Sequence, residues 1–315
     1  MRRASGITSR PPAQRSFPPS RQSENLALAM RTTAVSFLSN GDTIAAVLTL
    51  PDVHEPVPAV VVCHGALDFK ENFSELCGFL ANSGIATLAM DMHGHGASGG
   101  HRYHVDMGDW VSDIRCAIDF LASLPAIRKG SIGAFGFSSG GTAVLEASVL
   151  DRRIRCLITE DATVNNTLGV LDTAIVSLLN AAGWIKRRIT GKDLRLSMEQ
   201  AFSKVPLTAD AEVNRSWQDD ARVKEMWSSV PFPGMRASFR ADTLRRVHLI
   251  TVPTLVIHGQ EDRIDNPASA RMLHKSLRCA KRLCIIPGNG HMGHRDGNRH
   301  QVFSLTAQWA REHLC

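Results

Sequence analysis

The sequence predicts an α/β fold, a mostly parallel β-sheet with helices on both faces and one inserted helical segment. Three observations predict it. Short continuous apolar runs recur at residues 59–63, 85–90, 156–159 and 254–257, the kind that form strands buried on both faces. Segments with helical apolar spacing lie between them, joined by short loops, which is the pattern of right-handed strand–helix–strand units. The alternation stops after Asp161, runs mostly helical over residues 165–245, and then resumes.

The elements follow in order. Runs 33–38 and 43–50 flank Asn40-Gly41-Asp42, a hairpin turn signal. Strand 59–63 ends in His64-Gly65-Ala66. Residues 73–83 place Phe73, Leu76, Cys77 and Leu80 on one helix face, and Gly84 stops the helix. Strand 85–90 leads into Asp91-Met92-His93-Gly94-His95-Gly96. A helix over 108–124 carries Trp110, Ile114, Ala117, Ile118 and Leu121.

The stretch 131–145 organises the rest. An apolar run ends at Gly136, Ser138 follows, then Gly140 and Gly141, then a helix-forming run. A Ser at such a strand–turn–helix junction is held in a strained conformation that exposes its hydroxyl. Side chains two residues to either side would collide, hence Gly136 and Gly140. A helix N-cap role would explain a Ser here but not the glycines around it. The helix behind Ser138 aims its N–H groups where negative charge develops in acyl transfer. A second G-x-S-x-G, residues 96–100, lacks the strand before and the helix after, and reads as loop.

Beyond strand 156–159 comes the insertion. Residues 168–185 are apolar nearly all round and are followed by Lys186, Arg187 and Arg188. This helix has three readings: a roof over an acyl pocket, a weak contact with a membrane surface, or ordinary packing against the sheet. Strand 254–257, helix 267–276, strand 282–286 and helix 301–313 close the chain. The expected organisation is a disordered basic tail over 1–29, core over 30–164, a helical cap over 165–245 and core over 246–315.

Composition excludes several classes. At 315 residues with 43% hydrophobic and 21% charged, the chain is an ordinary soluble domain or two small ones. Its net charge is +6, but five arginines precede the first acid, Glu24. The basic balance therefore sits in the tail, and no nucleic acid partner is expected. That tail, rich in Arg, Ser and Pro, reads as dispensable, as an upstream start before Met30, or as an organelle transit peptide. Seven cysteines show no C-x-x-C pair, which suits reduced thiols and a cytoplasmic setting. No apolar run is long and clean enough to span a membrane.

A Ser hydroxyl needs a base within reach and an acid to orient that base. Both follow at strand ends. Asp262 lies just past strand 254–257, with Glu261 and Asp265 as rivals, and His291 lies just past strand 282–286, with His294 as rival. His93 and His95 could suggest a metal, but no third ligand stands at suitable spacing.

These pieces together resemble the α/β-hydrolases, in the branch of monoacylglycerol lipases and serine-aminopeptidase-like hydrolases. The matching residues are His64-Gly65-Ala66, Asp91 to Ser98, Gly136-Phe137-Ser138-Ser139-Gly140, His258-Gly259-Gln260-Glu261-Asp262 and Gly290-His291. The resemblance covers residues 33–313 and is weakest across the insertion. It implies Ser138 as nucleophile, Asp262 as acid, His291 as base, and the N–H groups of Ala66 and Ser139 as oxyanion hole. It makes His64, His93 and His95 structural, and it requires no cofactor and no metal. Phe137 departs from the His that lipases of this branch usually carry. The implied activity is hydrolysis of a carboxylic ester, thioester or small amide of a small-molecule acyl substrate. The alternatives are an acyltransferase on the same fold and a non-catalytic ligand-binding member.

Overall fold

The computed structural model describes residues 30–165, 168–239 and 241–315; the expected tail over 1–29 lies outside the described residues. The chain opens with a hairpin, β1 (Met30–Ser39) and β2 (Asp42–Pro51). Asn40 and Gly41 at its tip have φ of +50° and +89°, the left-handed pair that a two-residue turn needs to match the twist of its strands.

β2 pairs antiparallel with β4 (Ala86–Met90). From β4 onward the pairing is parallel, through β3 (Val57–Cys63), β5 (Ile127–Phe137), β6 (Ile154–Glu160), β9 (Thr254–Gly259) and β10 (Lys281–Ile286). The eight-stranded order is β1-β2-β4-β3-β5-β6-β9-β10. β3 and β4 are buried at every position, which is why their sequences are continuous apolar runs rather than alternating ones.

Helices α1 (Ser74–Asn82) and α10 (Arg299–Leu314) pack together, as do α2 (Met107–Ser123) and α3 (Ser139–Leu150). α3 and α10 both contact β3, β5 and β6, so they cover opposite faces. α2 starts where Asp106 accepts from the Gly108 and Asp109 N–H groups, a side-chain N-cap. α9 (Pro267–Ser276) starts on Asn266 with Pro267 in its first turn.

Between β6 and β9 lie α4 (Val170–Thr190), β7 (Leu194–Leu196), α5 (Glu199–Phe202), α6 (Ala211–Asp219), α7 (Ala221–Ser228), β8 (Val230–Phe232) and α8 (Arg236–Phe239). β7 and β8 form an antiparallel ribbon where periodicity predicted no strand; three residues per strand are too few to set a period. α4 packs on this ribbon rather than on the main sheet. A Cβ on Gly183 would lie 2.1 Å from the Phe232 carbonyl oxygen, so the helix approaches the ribbon backbone closely. The opposite side of α4 leaves Leu171, Leu178, Trp184 and Ile189 exposed, an unusual fate for a helix with so much apolar sequence. Among the described residues, no helix is long and apolar enough to cross a membrane.

Candidate active site

The site stands at the carboxyl ends of β3, β5, β6, β9 and β10, where open parallel sheets gather their functional groups. Ser138 occupies the turn between β5 and α3 with φ +51° and ψ −121°, a costly conformation for a residue with a side chain. Close packing enforces it. A Cβ on Gly136 would stand 2.3 Å from the Gly140 carbonyl oxygen, and one on Gly140 would stand 2.3 Å from that of His64. The Ser138 N–H donates to the Glu160 carbonyl at 3.0 Å, and the Thr163 N–H donates back to the Ser138 carbonyl at 3.3 Å. Strand β6 and its extension thus clamp the turn.

The Ser138 Oγ lies 3.1 Å from His291 Nε2, and His291 Nδ1 lies 2.8 Å from Asp262 Oδ2. The structure therefore brings Ser138, His291 and Asp262 together although they are far apart in the chain. The second Asp262 oxygen accepts the Ile264 and Asp265 N–H groups at 2.7 and 3.0 Å, which fixes its orientation. Burial works against charge on both partners. The imidazole outweighs it at Asp262 and holds that carboxyl well below its usual range. At His291 the Asp262 carboxylate, then Asp265 and Glu160, outweigh burial and raise the imidazole above its ordinary value.

The rivals are placed elsewhere. His294 is fully buried, with Nδ1 2.8 Å from Glu160 Oε2 and its ring stacked on Phe73 at 4.3 Å. Glu261 accepts the Gly288 N–H. Asp265 accepts the Thr163 hydroxyl at 2.7 Å, and burial raises its carboxyl pKa.

Ala66 and Ser139 line the same cavity of about 610 Å³ as Ser138 and His291. Ser139 opens α3, so its N–H has no intrahelical partner. The Ala66 loop is held by two buried histidines. His64 Nε2 accepts the Met92 N–H at 2.9 Å while Nδ1 donates to the Gly65 carbonyl. His95 Nε2 accepts the Leu67 N–H at 3.3 Å while Nδ1 donates to the His93 carbonyl. Burial, with His64 nearby, lowers His95 to about 3, so it stays neutral and can accept. His93 bridges Asp113 at 2.9 Å and Asp42 at 3.1 Å; the Asp113 hydrogen bond leads in raising it to about 9 despite burial. The three histidines thus tie the loops to each other, to α2 and to the hairpin.

Several contacts of the site have no local sequence signal. His258 lies 3.2 Å from Asp262 Oδ2 and 3.6 Å from Asp161 Oδ1. Burial disfavours its charge, but the Asp161 and Asp262 carboxylates prevail and raise it to about 9. Asp161, His258 and Asp262 bring three ligand-type atoms together, and burial pushes the Asp161 carboxyl well above its usual range. Asp296 accepts the N–H groups of Gly290, Ala209, Asp210 and Gly297, joining the His291 loop to the insertion. His258 belongs to the His258–Asp262 motif, but nothing local announced its Asp161 contact, and Asp296 carried no sequence signal at all.

The sheet order, with Ser138 on its strained turn, defines an α/β-hydrolase. The family model described as "Serine aminopeptidase, S33" matches residues 54–298, and the chain belongs to that family. It is 24% identical over 273 residues to a monoacylglycerol lipase of Mycolicibacterium smegmatis, covering 84% of this chain and 91% of the lipase. It is 23% identical over 288 residues to an uncharacterized 31.7 kDa protein of Escherichia coli, covering 88% and 98% of the two chains. Among solved structures, the α/β hydrolase GrgF from Penicillium sp. sh18 superposes with a TM-score of 0.77 at 17% identity, covering 90% of this chain and 99% of GrgF.

Proposed function

We propose that the enzyme is a serine hydrolase that cleaves a carboxylic ester through an acyl-enzyme. One observation carries the reading: the Ser138 hydroxyl stands 3.1 Å from an imidazole whose other nitrogen is held by a buried carboxylate. Likeness to a protein named monoacylglycerol lipase supports an ester as the scissile group.

In this reading the Ser138 Oγ attacks the ester carbonyl as His291 Nε2 takes its proton. Asp262 keeps the Nδ1–H tautomer in place and offsets the imidazolium charge. The N–H groups of Ala66 and Ser139 receive the oxyanion. His291 returns the proton to the leaving alcohol. It then activates the water that releases the acid from Ser138. The family's name is that of serine aminopeptidases, and the same residues would perform acyl transfer from an amide.

The segment 165–245 acts as the cap. It contributes Leu168, Phe202, Leu207, Trp217 and Trp227 to the cavity wall, an apolar lining suited to an acyl chain. Phe137 adds its ring 5.0 Å from that of His291, so the floor beside the nucleophile is apolar as well. The test is a panel of p-nitrophenyl esters of increasing acyl length. Turnover that vanishes in Ser138→Ala is expected, and folded protein that turns over no ester in the panel would sink the proposal.

A further inference from the structure

α4 carries six apolar residues in one file: Leu171, Ile175, Leu178, Ala182, Ile185 and Ile189. Their separations alternate between four and three residues. All six are exposed, with Leu171 at 73%, Leu178 at 72% and Ile189 at 76%. The helix's other side is occupied, with Gly183 against Phe232 and Leu179 against the core. A file with this spacing is the seam of a two-helix coiled coil, and here it has no partner among the described residues.

Charge says what covers it. The only acid on α4 is Asp172, in the first turn, and its cations Lys186, Arg187 and Arg188 stand at the far end. Arg187 is already engaged, 2.9 Å from His101 and 3.8 Å from Asp193. Asp172 and Lys186 have no ion-pair partner among the described residues. Each directly follows a seam residue, Leu171 and Ile185, so both lie along the same edge of the file. We propose that α4 is a self-association surface, on which a second copy of this chain lays its own α4 antiparallel about a two-fold axis.

In that arrangement Leu171 meets Ile189 of the second copy, Ile175 meets Ile185, and Leu178 meets Ala182. Asp172 of each copy faces Lys186 of the other, so the pair forms twice. A parallel arrangement would instead bring the basic ends together and align the helix dipoles unfavourably. An anionic bilayer would attract the basic end but leave Asp172 facing lipid headgroups of its own sign. Gly169 and Asp172 also line the acyl cavity, so the second copy stands beside its mouth. One helix pair is a small interface, so the association is concentration-dependent.

Sedimentation velocity on the full chain across the micromolar range tests this. The wild type is expected to move from monomer to dimer. Leu178→Glu, exposed and away from the cavity, is expected to weaken association at least ~100-fold, with unchanged thermal unfolding and unchanged p-nitrophenyl ester turnover. Asp172→Lys and Lys186→Glu should each weaken the dimer, and the double variant should restore it, read by oligomeric state alone. A wild type that stays monomeric, a dimer indifferent to Leu178→Glu, or a double variant no better than the singles would overturn the proposal. Co-sedimentation of a monomeric wild type with phosphatidylglycerol vesicles, abolished by Leu178→Glu, would overturn it in favour of a membrane surface.

Discussion

The chain contains G-x-S-x-G twice, and the two serines have opposite fates. Ser98 is wholly consumed by structure: its Oγ donates to the Asp91 carbonyl at 2.6 Å and accepts the Ala45 N–H at 2.9 Å. It pins the loop after β4 to the hairpin strand β2. Ser138 makes no such commitment. Its backbone carries the anchoring bonds, its φ is positive, and its hydroxyl meets only the His291 imidazole among the described residues. The pattern of residue types is the same in both. What differs is whether a strand and a helix converge on the turn and force the hydroxyl outward.

Mutation can break or sharpen that contrast, and the largest effect belongs to Ser138. Ser138→Ala should lower kcat by ~10⁴-fold or more with the melting temperature preserved, measured on a p-nitrophenyl ester. The next largest concerns the turn that holds it. Gly140→Ala places a Cβ 2.3 Å from the His64 carbonyl oxygen and 2.6 Å from that of Cys63. Both neighbours are backbone and cannot swing away, so denaturant unfolding should show a loss of about 3 kcal/mol or more.

Ser98→Ala should do the reverse of Ser138→Ala. It leaves the half-buried Ala45 N–H without its acceptor and takes a donor from the buried Asp91 carbonyl, which costs about 1–2 kcal/mol of stability, while kcat stays within about twofold of wild type on the same ester. The smallest effect is electrostatic. In the proposed mechanism His291 must be neutral to accept the Ser138 proton, and Asp265 is one of the carboxylates that hold its pKa up. Asp265→Asn removes a charge that favours the imidazolium, so the acid limb of the kcat/KM profile should move to lower pH, by up to about one unit. In the wild type that limb should lie above the ordinary imidazole range.

The sheet was legible because burial on both faces leaves continuous apolar runs, and the placement of Ser138, Asp262 and His291 was legible because each lies just past a strand. The hairpin was legible from Asn40 and Gly41, whose left-handed conformations few other residues accept. His258 with Asp161, Asp296 with the 207–210 loop and Glu160 with His294 were not. Each joins residues distant in sequence through a buried charge or an N–H acceptor, and no local spacing encodes that. The ribbon β7–β8 was too short to show a period. The exposed face of α4 was illegible for another reason: apolar sequence reports what can be buried, not whether the chain itself supplies the cover.

In the proposed mechanism the reactive hydroxyl is the one on the strained turn, backed by His291 and Asp262. A fluorophosphonate probe, followed by peptide mass spectrometry, reads this directly. A single stoichiometric adduct is expected on the peptide bearing Ser138, lost when His291 is replaced by alanine. An adduct on Ser98, or folded protein that takes up no probe, would contradict it.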